Sequence, residues 1–205
     1  IVPGLAFAIK CFTSPKDKIL VMPPVYHPFF LVTENENRKV VFCPLILKDG
    51  QYQIDFEQFE KQIKGCKVFI LCNPHNPGGR VWNMKELKRI ASICAQNNVL
   101  VFSDEIHADL TFPPYQHIPF ATVSKEAADN SLVFSIQYGR TRQFILHNKK
   151  RVPSRKVQKI HRRKRSYRRA CICIQERRSG LHLRRRVVIA SIGIPSKEYN
   201  LYRTL

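Results

Sequence analysis

Acidic side chains run out part-way along this chain. Residues 131–205 hold 2 Asp and Glu against 21 Lys and Arg, an excess of 19 out of the total of +20, whereas residues 1–130 hold 13 against 14. Such a one-signed segment does not read as an evenly charged globular surface, and it would attract polyanions through simple electrostatics. Long apolar runs are lacking too. The stretch Ile1 to Phe12 is broken by Pro3 and Gly4 and carries Lys10. It is too short to span a bilayer and has the wrong order for a secretory signal, so a cytoplasmic protein without a membrane segment is expected. No Cys-x-x-Cys pair occurs among the seven cysteines, and Cys11, Cys43, Cys66, Cys72 and Cys94 sit mostly inside apolar runs. That pattern favours reduced core thiols over a disulfide framework, and Cys171-Ile172-Cys173 lacks the second ligand pair that zinc requires.

What is present, over the first 130 or so residues, is the material for one sizeable core. Pro3 at a first helical position followed by Leu5, Ala6, Ala8, Ile9 and Phe12 predicts a packed helix. Lys18 to Met22 and Lys39 to Pro44 predict strands, with a helix between them over His27 to Asn37. The Lys48-Asp49-Gly50 turn leads to Asp55, an N-cap for a helix through Phe56, Phe59 and Ile63. Lys67 to Cys72 is a continuous apolar strand. Asn83 with Glu86 three residues on makes a capping box for a helix through Leu87, Ile90, Ile93 and Cys94. Asn98 to Phe102 and Leu132 to Ser135 complete the set. Strands without polar alternation, separated by amphipathic helices, predict an α/β fold whose mostly parallel sheet is covered on both faces. In such sheets ligands collect at the carboxyl edge. Two strands end in polar residues there, at Asn73 to Asn76 and at Asp104 to His107.

Three motifs carry a resemblance: Pro-Pro-Val-Tyr-His-Pro-Phe at 23–29, Asn-Pro-His-Asn-Pro-Gly-Gly-Arg-Val-Trp at 73–82, and Ser-Asp-Glu-Ile-His-Ala-Asp-Leu at 103–110. In this order they resemble the MalY/PatB-type carbon–sulfur lyases, pyridoxal-phosphate enzymes of the aminotransferase class I and II superfamily. The resemblance implies residues 1–135 as part of the large cofactor-binding domain of a fold-type-I enzyme; residues 136–205 show no family likeness, and their charge and lack of apolar periodicity predict a basic, disordered tail.

By that resemblance Asp104 would face the pyridine nitrogen of pyridoxal 5'-phosphate and keep it protonated. Spacing alone would equally allow Asp104 as a turn cap after a strand. Asn76 would donate to the phenolic oxygen, or else simply occupy a turn ahead of Pro77. His107 would lie close to the ring, or be a satisfied polar group near the core. Tyr26 would stack on the ring face, its alternative being to fill a Pro-rich bend. Ile1 and Val2 would offer amides to the phosphate at a helix start. The intact family would expel a thiol from a sulfur-containing amino acid, leaving pyruvate and ammonia, and would act as a homodimer. A class I or II aminotransferase is the near alternative, and His107 favours the lyase.

The lysine that would hold the cofactor as a Schiff base is expected about thirty residues after Asp104, near Ile136. The stretch Phe134-Ser135-Ile136-Gln137-Tyr138-Gly139-Arg140 has none; Lys125 comes too early and Lys149 too late. No catalytic lysine is therefore assigned, and this chain is expected to be inactive. Likeness to the family and apolar periodicity end together beyond Leu132 to Ser135, which points to a reading-frame shift, a retained intron or a mispredicted gene. The Arg-rich runs that follow, such as Arg162-Arg163-Lys164-Arg165, would bind polyanions non-specifically. They leave open a basic nucleic-acid-binding protein on an enzyme remnant.

Overall fold

A sheet built of wholly apolar strands is stable only when helices cover both of its faces. The computed structural model describes residues 1–135, together with the backbone of residues 143–147, 170–179 and 182–191. Strands β1 (Lys18–Val21), β2 (Lys39–Phe42), β5 (Cys66–Cys72), β6 (Leu100–Asp104) and β7 (Ser131–Phe134) pair in parallel in the order β2-β1-β5-β6-β7. A separate hairpin, β3 (Ile46–Lys48) with β4 (Gln51–Gln53), lies between β2 and β5 in the chain.

Alternate residues of each central strand feed two different cores, because successive side chains point to opposite faces. Ile19, Val21, Val68, Ile70, Cys72, Phe102 and Phe134 pack with Leu5, Ala8, Ile9, Phe29 and Val32 of helices α1 (Val2–Phe12) and α2 (Pro28–Asn35). Leu20, Phe69, Leu71 and Val101 pack on the other side with Phe59, Leu87, Ile90 and Cys94 of helices α3 (Phe56–Gln62) and α4 (Met84–Gln96). Phe120 and, from helix α5 (Lys125–Asp129), Ala127 join that second core.

The helix starts follow the sequence signals. The Asp55 carboxylate accepts the Gln58 amide, and the Asn83 carboxamide oxygen accepts the amides of Lys85 and Glu86 while Glu86 reaches back to the Asn83 amide. All five cysteines among the described side chains are buried and outside any disulfide, as reduced core thiols should be. Desolvation holds the protons on Cys43, Cys66, Cys72 and Cys94: the thiols of Cys43 and Cys66 are pushed up to about 11, that of Cys72 to about 12, and that of Cys94 further up. No helix among the described residues is long and apolar enough to cross a membrane.

Within the basic segment the structure describes only three stretches of backbone. Strands β8 (Gln143–His147), β10 (His182–Ser191) and β9 (Ala170–Ser179) extend the sheet beyond β7, all antiparallel. Between β9 and β10 the register places Ile172 opposite Ile189 and Ile174 opposite Val187. The rest of that segment, including Ile136 and Lys149, lies outside the described residues.

Candidate cofactor site

Because β1, β5, β6 and β7 run parallel, the loops that leave their carboxyl ends emerge on one edge. Those loops carry the residues that the sequence singles out. β5 and β6 end side by side, with Cys72 opposite Asp104 and Asp104 opposite Phe134. The Asn73 amide donates to the Asp104 carbonyl at 2.9 Å, and the Glu105 amide to the Phe134 carbonyl at 2.8 Å, which seals the three strand ends together.

Asp104 is 4% exposed. Two residues beyond Phe102, its side chain falls on the α1 face of the sheet. Burial raises its carboxyl to about 7; the Ile106 amide pulls it down, and Glu105 pushes it up. Its Oδ1 accepts the Ile106 amide at 3.2 Å, so the turn-cap role and a ligand-facing role are both open to it. Among the described residues no other hydrogen bond reaches this carboxylate, and a buried acid with so few donors fits a cationic partner such as a protonated ring nitrogen.

Helix α1 starts beside this edge, where Ile1 and Val2 pack against the core that contains Cys72 and Phe134. Its first intrahelical bond runs from the Leu5 amide to the Ile1 carbonyl at 2.9 Å, so the amides of Val2 and Gly4 precede the helical ladder. Pro3 has no N–H to give. The amides that the sequence points to are those of Ile1 and Val2, and the Gly4 amide lies beside them.

Asn76 is half-buried, and its amide donates to Cys72 Sγ at 3.3 Å, directly beside the end of β6. Its carboxamide makes no hydrogen bond among the described residues and is left to meet a ligand. Gly79, at φ +63°, supplies the left-handed turn that returns the loop, and the Gly79 amide closes on the His75 carbonyl at 2.9 Å. Tyr26, 36% exposed, sits where the loop after β1 enters α2, with its ring edge-on to Phe29 at 5.6 Å. His107 is half-buried, and its carbonyl accepts the Leu110 amide at 2.8 Å in a tight turn after β6. Tyr26, Asn76, Asp104 and His107 thus share one edge of the sheet, with the start of α1 alongside. Lys125 does not join them: α5 packs in the α3–α4 layer, on the opposite face from Asp104.

Several buried groups escaped the sequence reading. His75, 3% exposed, is turned edge-on to Trp82 at 5.6 Å, and burial lowers its pKa to about 4, which keeps the ring neutral. Glu105 accepts from Ser103 Oγ at 2.8 Å and from the Phe120 amide at 2.9 Å, and its other oxygen pairs with His117 Nε2 at 3.1 Å. An Asp-Glu pair ending an apolar strand was the available signal, since a second buried acid must find donors somewhere.

The chain belongs to the aminotransferase class I and II family, which matches residues 3–135. Within it, the similar proteins include cystathionine beta-lyases and kynurenine–oxoglutarate transaminases. Cystathionine beta-lyase PatB of Bacillus subtilis is 44% identical over 134 residues, covering 64% of this chain and 35% of that protein. Protein MalY of Escherichia coli is 30% identical, over 57% of this chain and 30% of its own length. The crystal structure of cystalysin from Treponema denticola, which contains pyridoxal 5'-phosphate, superposes with a TM-score of 0.64 at 41% identity, covering 65% of this chain and 34% of that one. The chain therefore spans about a third of the length of the relatives it matches. Pyridoxal phosphate is the cofactor of the family, and the fold is that of its large domain.

Proposed function

We propose that residues 1–135 form the cofactor cradle of a pyridoxal-phosphate-dependent carbon–sulfur β-lyase, acting on a sulfur-containing amino acid, and that this chain does not turn it over. The observation that carries the reading is Asp104, buried at the carboxyl edge with its carboxyl raised to about 7 and one hydrogen bond to it among the described residues. The bound cofactor would supply an electron-withdrawing ring for carbanion chemistry at the substrate. Asp104 would hold a proton on the ring nitrogen that faces it. Asn76 would donate its free carboxamide N–H to a ring oxygen. Tyr26 would limit the tilt of the ring from one face, and the Val2 and Gly4 amides would receive the phosphate. His107 lies on the same edge and supports the lyase over an aminotransferase.

Two measurements test this. Equilibrium dialysis should show saturable pyridoxal phosphate uptake that Asp104→Asn abolishes, while equal uptake by both proteins would overturn the assignment. Borohydride reduction followed by peptide mapping should label no single lysine stoichiometrically, and cystathionine should yield no pyruvate. A lysine labelled one-to-one, with turnover, would show that the chain is an active enzyme.

The charge of residues 131–205 favours a second reading, polyanion binding by the basic segment. Its affinity for a generic duplex should fall steeply with added salt and show no sequence preference. A strong preference for one sequence would point instead to a selected nucleic-acid role.

A further inference from the structure

The two loops that carry Asn76 and His107 belong to different strands, and nothing in a parallel sheet obliges their outer parts to keep a fixed relation. One buried side chain connects them. Asn73 is wholly inaccessible to solvent. Its Oδ1 accepts the backbone amide of Trp82 at 3.3 Å, which closes the loop that contains Asn76 upon itself. Its Nδ2 donates to the carbonyl of Ile118 at 3.1 Å, which holds the far end of the loop that contains His107. Its own amide donates to the Asp104 carbonyl at 2.9 Å. The orientation of the carboxamide is dictated by its partners, since Trp82 N–H can only donate and Ile118 C=O can only accept.

We propose that Asn73 is a positioning residue, a three-way joint that fixes the loop bearing Asn76 and the loop bearing His107 relative to Asp104. The role rests on the reading of this edge as a cofactor cradle. Asparagine is needed because no other side chain of that size offers one donor and one acceptor at the same place. Aspartate in its ionised form would keep the acceptor for Trp82 and lose the donor for Ile118, so its variant is read at a pH where the carboxyl is ionised. Alanine would lose both and leave buried backbone groups unpaired. The base of the second loop is held independently by Glu105, so loss of the joint should loosen the loops without melting the sheet.

Amide hydrogen exchange by mass spectrometry on the full chain reads this out, because loop opening and global unfolding leave different patterns. In Asn73→Asp the amides of Ala108, Leu110 and Tyr115 should exchange about tenfold faster while the Trp82 amide keeps its protection. In Asn73→Ala both loops should speed up, with α4 and β1 unchanged. Uniform acceleration across the chain in both variants, or an unaltered second loop in Asn73→Asp, would overturn the proposal. Should the variants not fold, the wild type still decides. Its Trp82 amide must exchange at least about tenfold more slowly than that of Val81, and equal rates would refute the joint. Pyridoxal phosphate dialysis on the same samples separates the two ideas. Both variants should bind it more weakly than the wild type. Absence of uptake by the wild type overturns the cradle reading and the positioning role with it, even where the exchange pattern shows the joint itself.

Discussion

At the scale of the residue, Asp104 couples stability to pH with a definite sign. Its folded-state carboxyl is raised from 3.8 to about 7, so between those values the folded chain binds more protons than the unfolded one. Stability from this group is full below about pH 4 and is lost as pH rises through about 7. Asp104→Asn should therefore be more stable than the wild type above pH 7, by a few kcal/mol, and the difference should vanish near pH 4. Denaturant titrations at a series of pH values would check it; a constant offset would show that the carboxyl is not raised. His75 works in the opposite direction: its depressed pKa costs stability as pH falls from 6.5 towards 4, and the wild-type-minus-variant difference removes it. Asp104 was singled out by the Ser-Asp-Glu-Ile-His motif that carries the family resemblance, since its place after an apolar strand suits a turn cap equally well. Asn73 was not, although it opens the same motif as Asn76, because the identity of its partners, Trp82 and Ile118, depends on how two loops fold back.

At the scale of the element, the capping signals transfer directly from sequence to structure. Asn83→Ala should cost about 1 kcal/mol in thermal or urea unfolding, since it strips acceptors from the first turn of α4. Arg38 ties two elements together. It donates to Thr13 Oγ1 and to the Thr13 carbonyl, both at 2.8 Å, and to the Glu36 carbonyl, so the end of α1 is stitched to the turn after α2. Arg38→Ala should destabilise by about 1–3 kcal/mol, more than removal of the exposed Arg89–Glu60 pair. The parallel strands were legible from their apolar runs. β3 and β4 were not, since their residues are mostly exposed and show no alternation that a core would impose. Only the turn betrayed them: Asp49 and Gly50, at φ +50° and +73°, are the left-handed pair that a tight hairpin requires.

At the scale of the whole molecule, the layers are unequally dressed. Leu47, Leu110 and Phe112 are 60% exposed or more, and Phe42, Ile46 and Tyr115 are also open to solvent. Together with the cost of ordering so many residues for a modest core, this predicts an aggregation-prone chain. Light scattering should show concentration-dependent self-association, reduced in the Leu110→Ser/Phe112→Ser double variant; a monodisperse wild-type monomer with a cooperative thermal transition would contradict it.

The sequence holds a single tryptophan, and the structure places it at a telling spot. The Trp82 indole N–H donates to the carbonyl of Cys72 at 2.9 Å, behind the strand end that meets Asp104, and the guanidinium of Arg80 lies 5.1 Å from its ring. Its fluorescence therefore comes from one dry environment, in the core on the opposite face of the sheet from Asp104. The chain carries its own dye, and a red shift of its emission would report that water has reached the core behind the Cys72 strand end.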